Sequence, residues 1–242
     1  MTDNIKIFGP FKDLGRKKKF VKRMFDDISD RYDLMNRVIS MGMDGPWRRR
    51  TIRPHKNDKL VLDICSGTGD MSREILKLEG FDGFIVLGDF AAEMNKLAKA
   101  KLADINNVCY VNCDAENLPF KPGVFDGVVN GYSMRNLGDL QRFGSEIERT
   151  LKPGGKASII DMAHPPNKLV GWLFRIYFYR IAPWISRFFT SKEYAYKYLP
   201  LSLHTFLKQP EVLTDLKGEK LEGYYENVFG GMVAIYRLTK KS

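Results

Sequence analysis

Between Lys59 and about Ala163 the chain alternates short apolar runs with segments of helical patterning. Leu60–Cys65 is an apolar run that stops at glycines, as a strand buried on both faces of a parallel sheet does. Asp70–Glu79 reads as a helix, Phe84–Asp89 as the next strand, and Ala92–Ala103 as a helix with Met94, Leu97 and Leu102 on one side. Val108–Cys113 and Val124–Asn130 read as two further strands. Leu140–Leu151 is a helix that meets the breaker Lys152-Pro153-Gly154-Gly155, and Ala157–Met162 is a fifth strand. Strands alternating with helices predict an α/β fold around a mostly parallel sheet. Near the end, a helix over Glu211–Leu216 precedes the strands Leu221–Val228 and Met232–Leu238. Phe229-Gly230-Gly231 between them fits a hairpin turn, which makes the last strand antiparallel.

The 242 residues suit one domain in four parts: a helical, basic cap over 1–58, the alternating core over 59–164, an aromatic-rich insertion over 165–208, and the helix and hairpin over 209–242.

The chemistry concentrates where the first strand ends, in Leu60-Val-Leu-Asp-Ile-Cys-Ser-Gly-Thr-Gly-Asp-Met-Ser72. Gly67 and Gly69 allow a tight turn and close approach of a ligand to the backbone, and ligands of doubly wound sheets bind at the carboxyl ends of the strands. A dinucleotide fingerprint has a third glycine where this chain has Ser72. Asp63 and Asp70 flank the turn, and Ser66 lies within it. Carboxylates here repel a pyrophosphate but suit a cation. S-adenosylmethionine, with its sulfonium and ammonium groups, fits better than a nicotinamide dinucleotide. Asp70 also suits the N-cap of the following helix. Asp89, with Phe90 beside it, ends the second strand where a carboxylate accepts ribose hydroxyls. Asp114 and Ala115 end the third, where an adenine would lie.

The formal charge of +10 changes the picture by suggesting an anionic partner, a membrane surface or simply a solvated basic face. Lys17-Lys18-Lys19 and Arg48-Arg49-Arg50 carry much of it. Three cysteines without a CxxC argue for a reducing compartment, and His55, His164 and His204 are too scattered to suggest a metal centre. The polar N-terminus has no signal-peptide pattern, and Leu169–Phe189 is too interrupted by charge to span a bilayer, so a cytoplasmic location is expected.

With these segments in view, the chain resembles the class I methyltransferases. Leu-Asp-Ile-Cys-Ser-Gly-Thr-Gly-Asp70, Asp114-Ala-Glu-Asn-Leu-Pro-Phe120, Phe125-Asp126 and Leu151-Lys-Pro-Gly-Gly155 carry that likeness. More narrowly, it resembles the C-methyltransferases of ubiquinone and menaquinone biosynthesis. The residues concerned are Met24-Phe-Asp-Asp-Ile-Ser-Asp-Arg-Tyr-Asp-Leu-Met-Asn36, Ser40-Met-Gly42, Trp47-Arg-Arg49, Met134-Arg-Asn-Leu-Gly-Asp139, Tyr196-Lys-Tyr-Leu-Pro200 and Gly231-Met-Val-Ala-Ile-Tyr-Arg237. The resemblance implies a Rossmann-like sheet with N-terminal helices and a helical lid insertion. It implies S-adenosylmethionine contacts at Thr68, Asp89, Asp114 and Ala115. The chain departs from the family pattern at Ser66, where glycine is usual, and near Gly131, where serine is usual and Asn130 or Ser133 is the substitute. The cofactor-side set is therefore Asp63, Ser66, Gly67, Thr68, Gly69, Asp89, Phe90, Asp114, Ala115, Asn130 and Gly131.

The reaction implied is methyl transfer to a ring carbon of a reduced prenylated quinone, with no metal. Such a carbon becomes nucleophilic when a neighbouring hydroxyl loses its proton, so the site must favour the phenolate and align the reacting atoms. Tyr32, Asp33, Arg135, Asn136 and His164 are the candidates. The resemblance favours Arg135, Asn136 and Tyr32. Against these roles stand an Arg135–Asp139 ion pair, core packing for Tyr32, and an exposed loop position for His164. Lys168–Phe189, with aromatic and basic residues interleaved, is expected to cover the substrate and touch the membrane's inner face. The alternative is a buried lid or a homodimer contact. Competing functions are methylation of another lipid or aromatic molecule, an RNA-directed enzyme, and an inactive scaffold. No RNA-binding module is present, so no nucleic-acid partner is expected.

Overall fold

The structure, a computed structural model, describes residues 13–182, 184 and 193–242. Among the described residues the N-terminal cap holds three α-helices: α1 (Leu14–Ile28), α2 (Tyr32–Ile39) and α3 (Asp44–Ile52). Asp13 caps α1, its carboxylate accepting from the Arg16 amide at 2.7 Å.

The core then runs β1 (Leu60–Ile64), α4 (Asp70–Leu76), β2 (Phe84–Asp89), α5 (Ala92–Lys101), β3 (Val108–Asn112), β4 (Phe125–Gly131), α6 (Leu140–Thr150) and β5 (Leu151–Met162). After it come α7 (Lys168–Ile176), which continues into a wide π-helical turn over Tyr177–Ile181, then α8 (Glu193–His204), α9 (Gln209–Leu216), β6 (Leu221–Val228) and β7 (Val233–Lys240).

The seven strands form one sheet in the order β3-β2-β1-β4-β5-β7-β6. The first five are parallel, and β7 pairs antiparallel with both β5 and β6. Alternation along the strands sends Leu62 and Ile64 to one face and Val61 to the other. The first face packs on α6 and α9 through Phe143, Ile147, Val212 and Leu216. The second packs on α3, α4 and α5 through Ile52, Met71, Ile75 and Ala98. The chain leaves β1 toward β2 and β3 and later returns to β4 on its other side. That reversal opens a crevice at the carboxyl ends of β1 and β4.

The expected strands and helices stand within a few residues of their places. Two details differ. Leu151 already pairs with Phe125, and Gly127 next pairs with Lys156, so the Lys152–Gly155 segment is a bulge inside β5 rather than a linker before it. Gly69, at φ 82°, is the N-cap of α4, which puts Asp70 in its first turn and not at the cap. A glycine there lets the chain turn from strand to helix in the left-handed region, close against Leu87.

The cap is tied to the sheet from below by His55. This fully buried ring meets Asp58 at 2.7 Å and Ser158 on β5 at 2.9 Å. Above the sheet, Val21, Met24 and Ile28 of α1 join Met35 of α2 and Tyr198 of α8 in a separate apolar cluster over the crevice.

Candidate active site

The turn after β1 is built around Asp63. Its Oδ2 accepts from the Ser72 amide at 3.0 Å and the Ser72 hydroxyl at 2.6 Å, which locks the start of α4 to the strand. Its Oδ1 is buried with no hydrogen-bond partner among the described residues. Burial pushes this carboxyl up to about 7, against the pull of the Ser72 bonds and Arg48. A buried carboxylate oxygen without a donor asks for a cation. Ser66 is accommodated without a glycine's freedom, because the positive φ falls on Cys65 (54°) and Gly67 (56°).

Asp89 closes the same turn from β2. Its Oδ2 accepts from the Gly67 amide at 2.9 Å and its Oδ1 from the Ala91 amide at 2.8 Å, while burial raises it to about 6. Gly67, Asp89, Phe90, Asp114, Ala115 and Gly131 line a narrow cleft, joined by Tyr32 and Asn136. Asp63, Ser66, Thr68, Gly69 and Asn130 do not line it. Asn130 instead clamps the crevice, donating to the Ile64 carbonyl at 2.6 Å and to Ser133 at 2.7 Å. Thr68 donates to Asp33 at 2.6 Å and accepts from Lys101 at 2.8 Å. Lys101 also pairs with Asp33 and with Asp70. Asp33 is therefore a hinge-pin between α2 and the glycine turn.

Two lysines of the basic run turn inward from α1. Lys18 reaches Asp114 at 2.7 Å and Glu116 at 2.9 Å, across the cleft mouth. Lys17 is buried and donates to the carbonyls of Arg135 and Leu137, and burial lowers it to about 8. The N-terminal charge thus serves the interior as well as the surface. The clue in the sequence was position: Lys17, Val21, Met24 and Ile28 share one helical stripe.

Beside the cleft lies a larger cavity of about 300 Å³. Ile39, Trp47, Met162, Phe174, Tyr177, Phe178 and Met232 contribute apolar walls, and Asn36, Asp44, Arg48, Tyr132 and Arg135 contribute polar ones. The lid insertion does face this cavity through Phe174, Tyr177 and Phe178. Its Trp172 and Tyr179 point outward, 53% and 45% exposed. Phe188 and Phe189 lie outside the described residues.

Arg135 donates to the Tyr132 carbonyl at 2.9 Å and pairs with Asp161 at 2.6 Å. The expected alternative partner Asp139 is instead the N-cap of α6, accepting from the Arg142 amide at 2.9 Å. Asp161 is fully buried, and burial raises its pKa despite the Arg135 charge. Tyr32 stacks edge-on against Phe25 at 5.7 Å, and burial raises its phenol; it both packs and lines the cleft. His164 lines neither cavity: its Nε2 meets the Phe206 carbonyl at 2.9 Å, a structural role.

Sequence reasoning missed Arg48 and Tyr132. Arg48 falls on the buried stripe Arg48, Thr51, Ile52 of α3, with its guanidinium 5.0 Å from the Tyr132 ring centre. Burial opposes its charge, but Tyr132, Asp70, Tyr32 and Asp44 outweigh it and raise its pKa. Gly131 gives this placement room, since a Cβ there would stand 3.0 Å from Arg48 Nη1 and press the guanidinium to shift. The departure from the family pattern at Gly131 thus has a local use.

A family model described as the ubiE/COQ5 methyltransferase family matches residues 12–240. A ubiquinone/menaquinone biosynthesis C-methyltransferase UbiE of Wigglesworthia glossinidia brevipalpis is 32% identical, over 93% of this chain and 92% of that protein. A demethylmenaquinone methyltransferase of Thermus thermophilus is 34% identical, over 88% of this chain and 98% of that one. Among solved structures, a putative S-adenosyl-L-methionine-dependent methyltransferase of Methanococcus maripaludis superposes with a TM-score of 0.60 at 21% identity, over 90% and 94% of the two chains. A SAM-dependent methyltransferase from Aquifex aeolicus does so with 0.58 at 16% identity, over 95% and 100%. These likenesses establish the class I methyltransferase fold.

Proposed function

The chain belongs to the ubiE/COQ5 methyltransferase family, and we propose that it methylates a ring carbon of a reduced prenylated quinone, with S-adenosylmethionine as the cofactor. One observation carries the reading: a rim of carboxylates at the ends of β1, β2 and β3 adjoins a large apolar cavity with two arginines in its wall. The orphaned Asp63 Oδ1 and the acidic donor set around the glycine turn fit a cationic nucleoside cofactor. Asp63, buried just behind the cleft lining, would set its negative charge toward the cofactor's charged end, while Asp89 would take its ribose and Asp114 with Ala115 its adenine. When bound, the cofactor supplies an electrophilic methyl group.

The chain's own residues do the rest. The apolar walls admit a greasy ring and exclude water, which strengthens every charge inside. Arg135, held by Asp161 and by the Tyr132 carbonyl, presents a fixed cation beside the ring; a guanidinium stabilises a phenolate and does not itself act as base at ordinary pH. Asn136, with a buried Oδ1 that lacks a partner among the described residues, and Tyr32 orient the ring at the cleft.

No helix among the described residues is long and apolar enough to cross a membrane. The outward Trp172 and Tyr179, with Leu169 and Leu173 also exposed, support a peripheral contact of the lid with the bilayer's inner face, from the cytoplasmic side.

Turnover of demethylmenaquinol and demethylated ubiquinol analogues by the full chain, followed by mass spectrometry of the product, tests the function. Ring methylation of one of them is expected. Cofactor binding without turnover of either would overturn the quinol reading.

A further inference from the structure

Arg48 is a buried cation whose two ion pairs are long and carry no hydrogen bond among the described residues. Its side chain is 7% exposed, and its nearest carboxylates, Asp44 and Asp70, stand at 3.8 and 4.0 Å. Both are engaged elsewhere: Asp70 meets Lys101 at 2.9 Å, and Asp44 accepts from the Ser40 hydroxyl at 2.9 Å. Arg135, by contrast, holds Asp161 at 2.6 Å. Arg48 Nε is buried and has no hydrogen-bond partner among the described residues; the same is true of the Tyr132 hydroxyl. The guanidinium lies over the Tyr132 ring, and both residues line the large cavity. Tyr132 also lines the narrow cleft, so the pair stands at the wall between the two. An arginine does not shed its proton when buried, and a charge so placed is costly without a close counter-ion. The chain nonetheless makes room for it, with glycine at 131 where a Cβ would crowd Nη1.

We propose that Arg48, stacked on Tyr132 and admitted by the missing side chain at Gly131, is the anion receptor of this site and binds an anionic oxygen of a bound ligand. The inference rests on the reading above, in which a hydroxylated ring and an amino-acid-bearing cofactor meet at this wall. Two groups carry such an oxygen: the ionised ring hydroxyl of the acceptor and the carboxylate of the cofactor. Arg48 lines the apolar cavity and not the aspartate cleft, which favours the ring oxygen, with the Tyr132 hydroxyl as a second donor.

The test uses the full chain and Arg48→Gln, with 1-naphthol as the acceptor probe, because its anion has its own absorption band. Bound to the wild type, the naphthol is expected to ionise about one pH unit or more below its free value, and in R48Q to lose the larger part of that shift, Arg135 keeping the remainder. In parallel, calorimetry compares S-adenosylmethionine with its decarboxylated form. If the cofactor's carboxylate is the anion, R48Q weakens the first by about tenfold or more and leaves the second unchanged. Either result supports an anion receptor and says which oxygen it holds. A folded R48Q that alters neither naphthol ionisation nor the preference for the carboxylated cofactor overturns it. So does a wild type that shows neither effect. Should R48Q fail to fold, Gly131→Ala displaces Nη1 from outside and is read by the same two measurements. A wild type that shifts naphthol but methylates no quinol sinks the quinol reading and leaves the anion receptor standing.

Discussion

Cofactor affinity should depend on pH through Asp63. Burial holds the carboxyl at about 7, with Oδ1 lacking a donor among the described residues. A cation placed against that oxygen favours the ionised form, so the bound state takes up the carboxylate and releases its proton. Below pH 7 the affinity then falls by about tenfold per pH unit, about 1.4 kcal/mol. Between pH 8 and pH 6 the loss is about tenfold, because the carboxyl passes from mostly ionised to mostly protonated. Calorimetry in two buffers of different ionisation enthalpy measures both the affinity and the proton release, which should be most of a proton at pH 6 and little at pH 8. Asp63→Asn is the control. It should bind weakly at pH 8 and lose most of the slope above pH 6, where Asp89, raised only to about 6, contributes less. The cofactor's own α-amino group, titrating near about 8, stays charged over the lower part of this range. The same shift has a sign for stability. Between about pH 4 and 7 the native state holds a proton that the unfolded chain has released, so unliganded stability falls as pH rises through that window. An affinity that is flat from pH 6 to 8, or a slope that survives in D63N, would refute the role given to Asp63.

Three further outcomes are expected. Asp161→Asn leaves the Arg135 cation buried without its 2.6 Å partner and should cost about 3 kcal/mol or more of unfolding free energy, read by urea denaturation; a change within error would mean that Arg135 finds another anion. Arg135→Ala should lower kcat by about a hundredfold while cofactor affinity stays within about threefold, and an unchanged kcat would remove it from the chemistry. Gly127→Ala would drive a Cβ to 2.1 Å from Asp58 Oδ2 and 2.4 Å from His55, so thermal melting should show a loss of about 1–3 kcal/mol with kcat preserved in the folded fraction.

The core was legible because its signals are local. Apolar runs of strand length ending at glycines, and helices with one apolar side, are set by the pleat and the helical repeat over a few residues. The acidic rim was legible for the same reason, since Asp63, Asp89 and Asp114 each sit at or just past a strand end that the run lengths already located. Residues whose role depends on which distant segment they meet were not legible. Asp161 ends no predicted turn and belongs to no motif, yet it holds Arg135 from β5. Lys17 and Arg48 read as parts of surface charge runs, yet both lie inside, because the cap folds over the carboxyl end of the sheet and brings their helices' inner stripes with it.

The sequence by itself determined the turn after β1, the alternation around it and the sign of the charge offered to a ligand there. Tertiary structure alone decided which carboxylates are spent on lysines and which remain open. It also split the proposed cofactor residues into those lining the cleft and those, such as Asn130 and Thr68, that brace it from behind. The physical reason is that chain periodicity specifies which way a side chain points from its own element. What it meets there is set by how α1–α3 and the insertion pack over the rim, and burial in the folded chain also moves Asp63, Asp89 and Lys17 away from their ordinary pKa values.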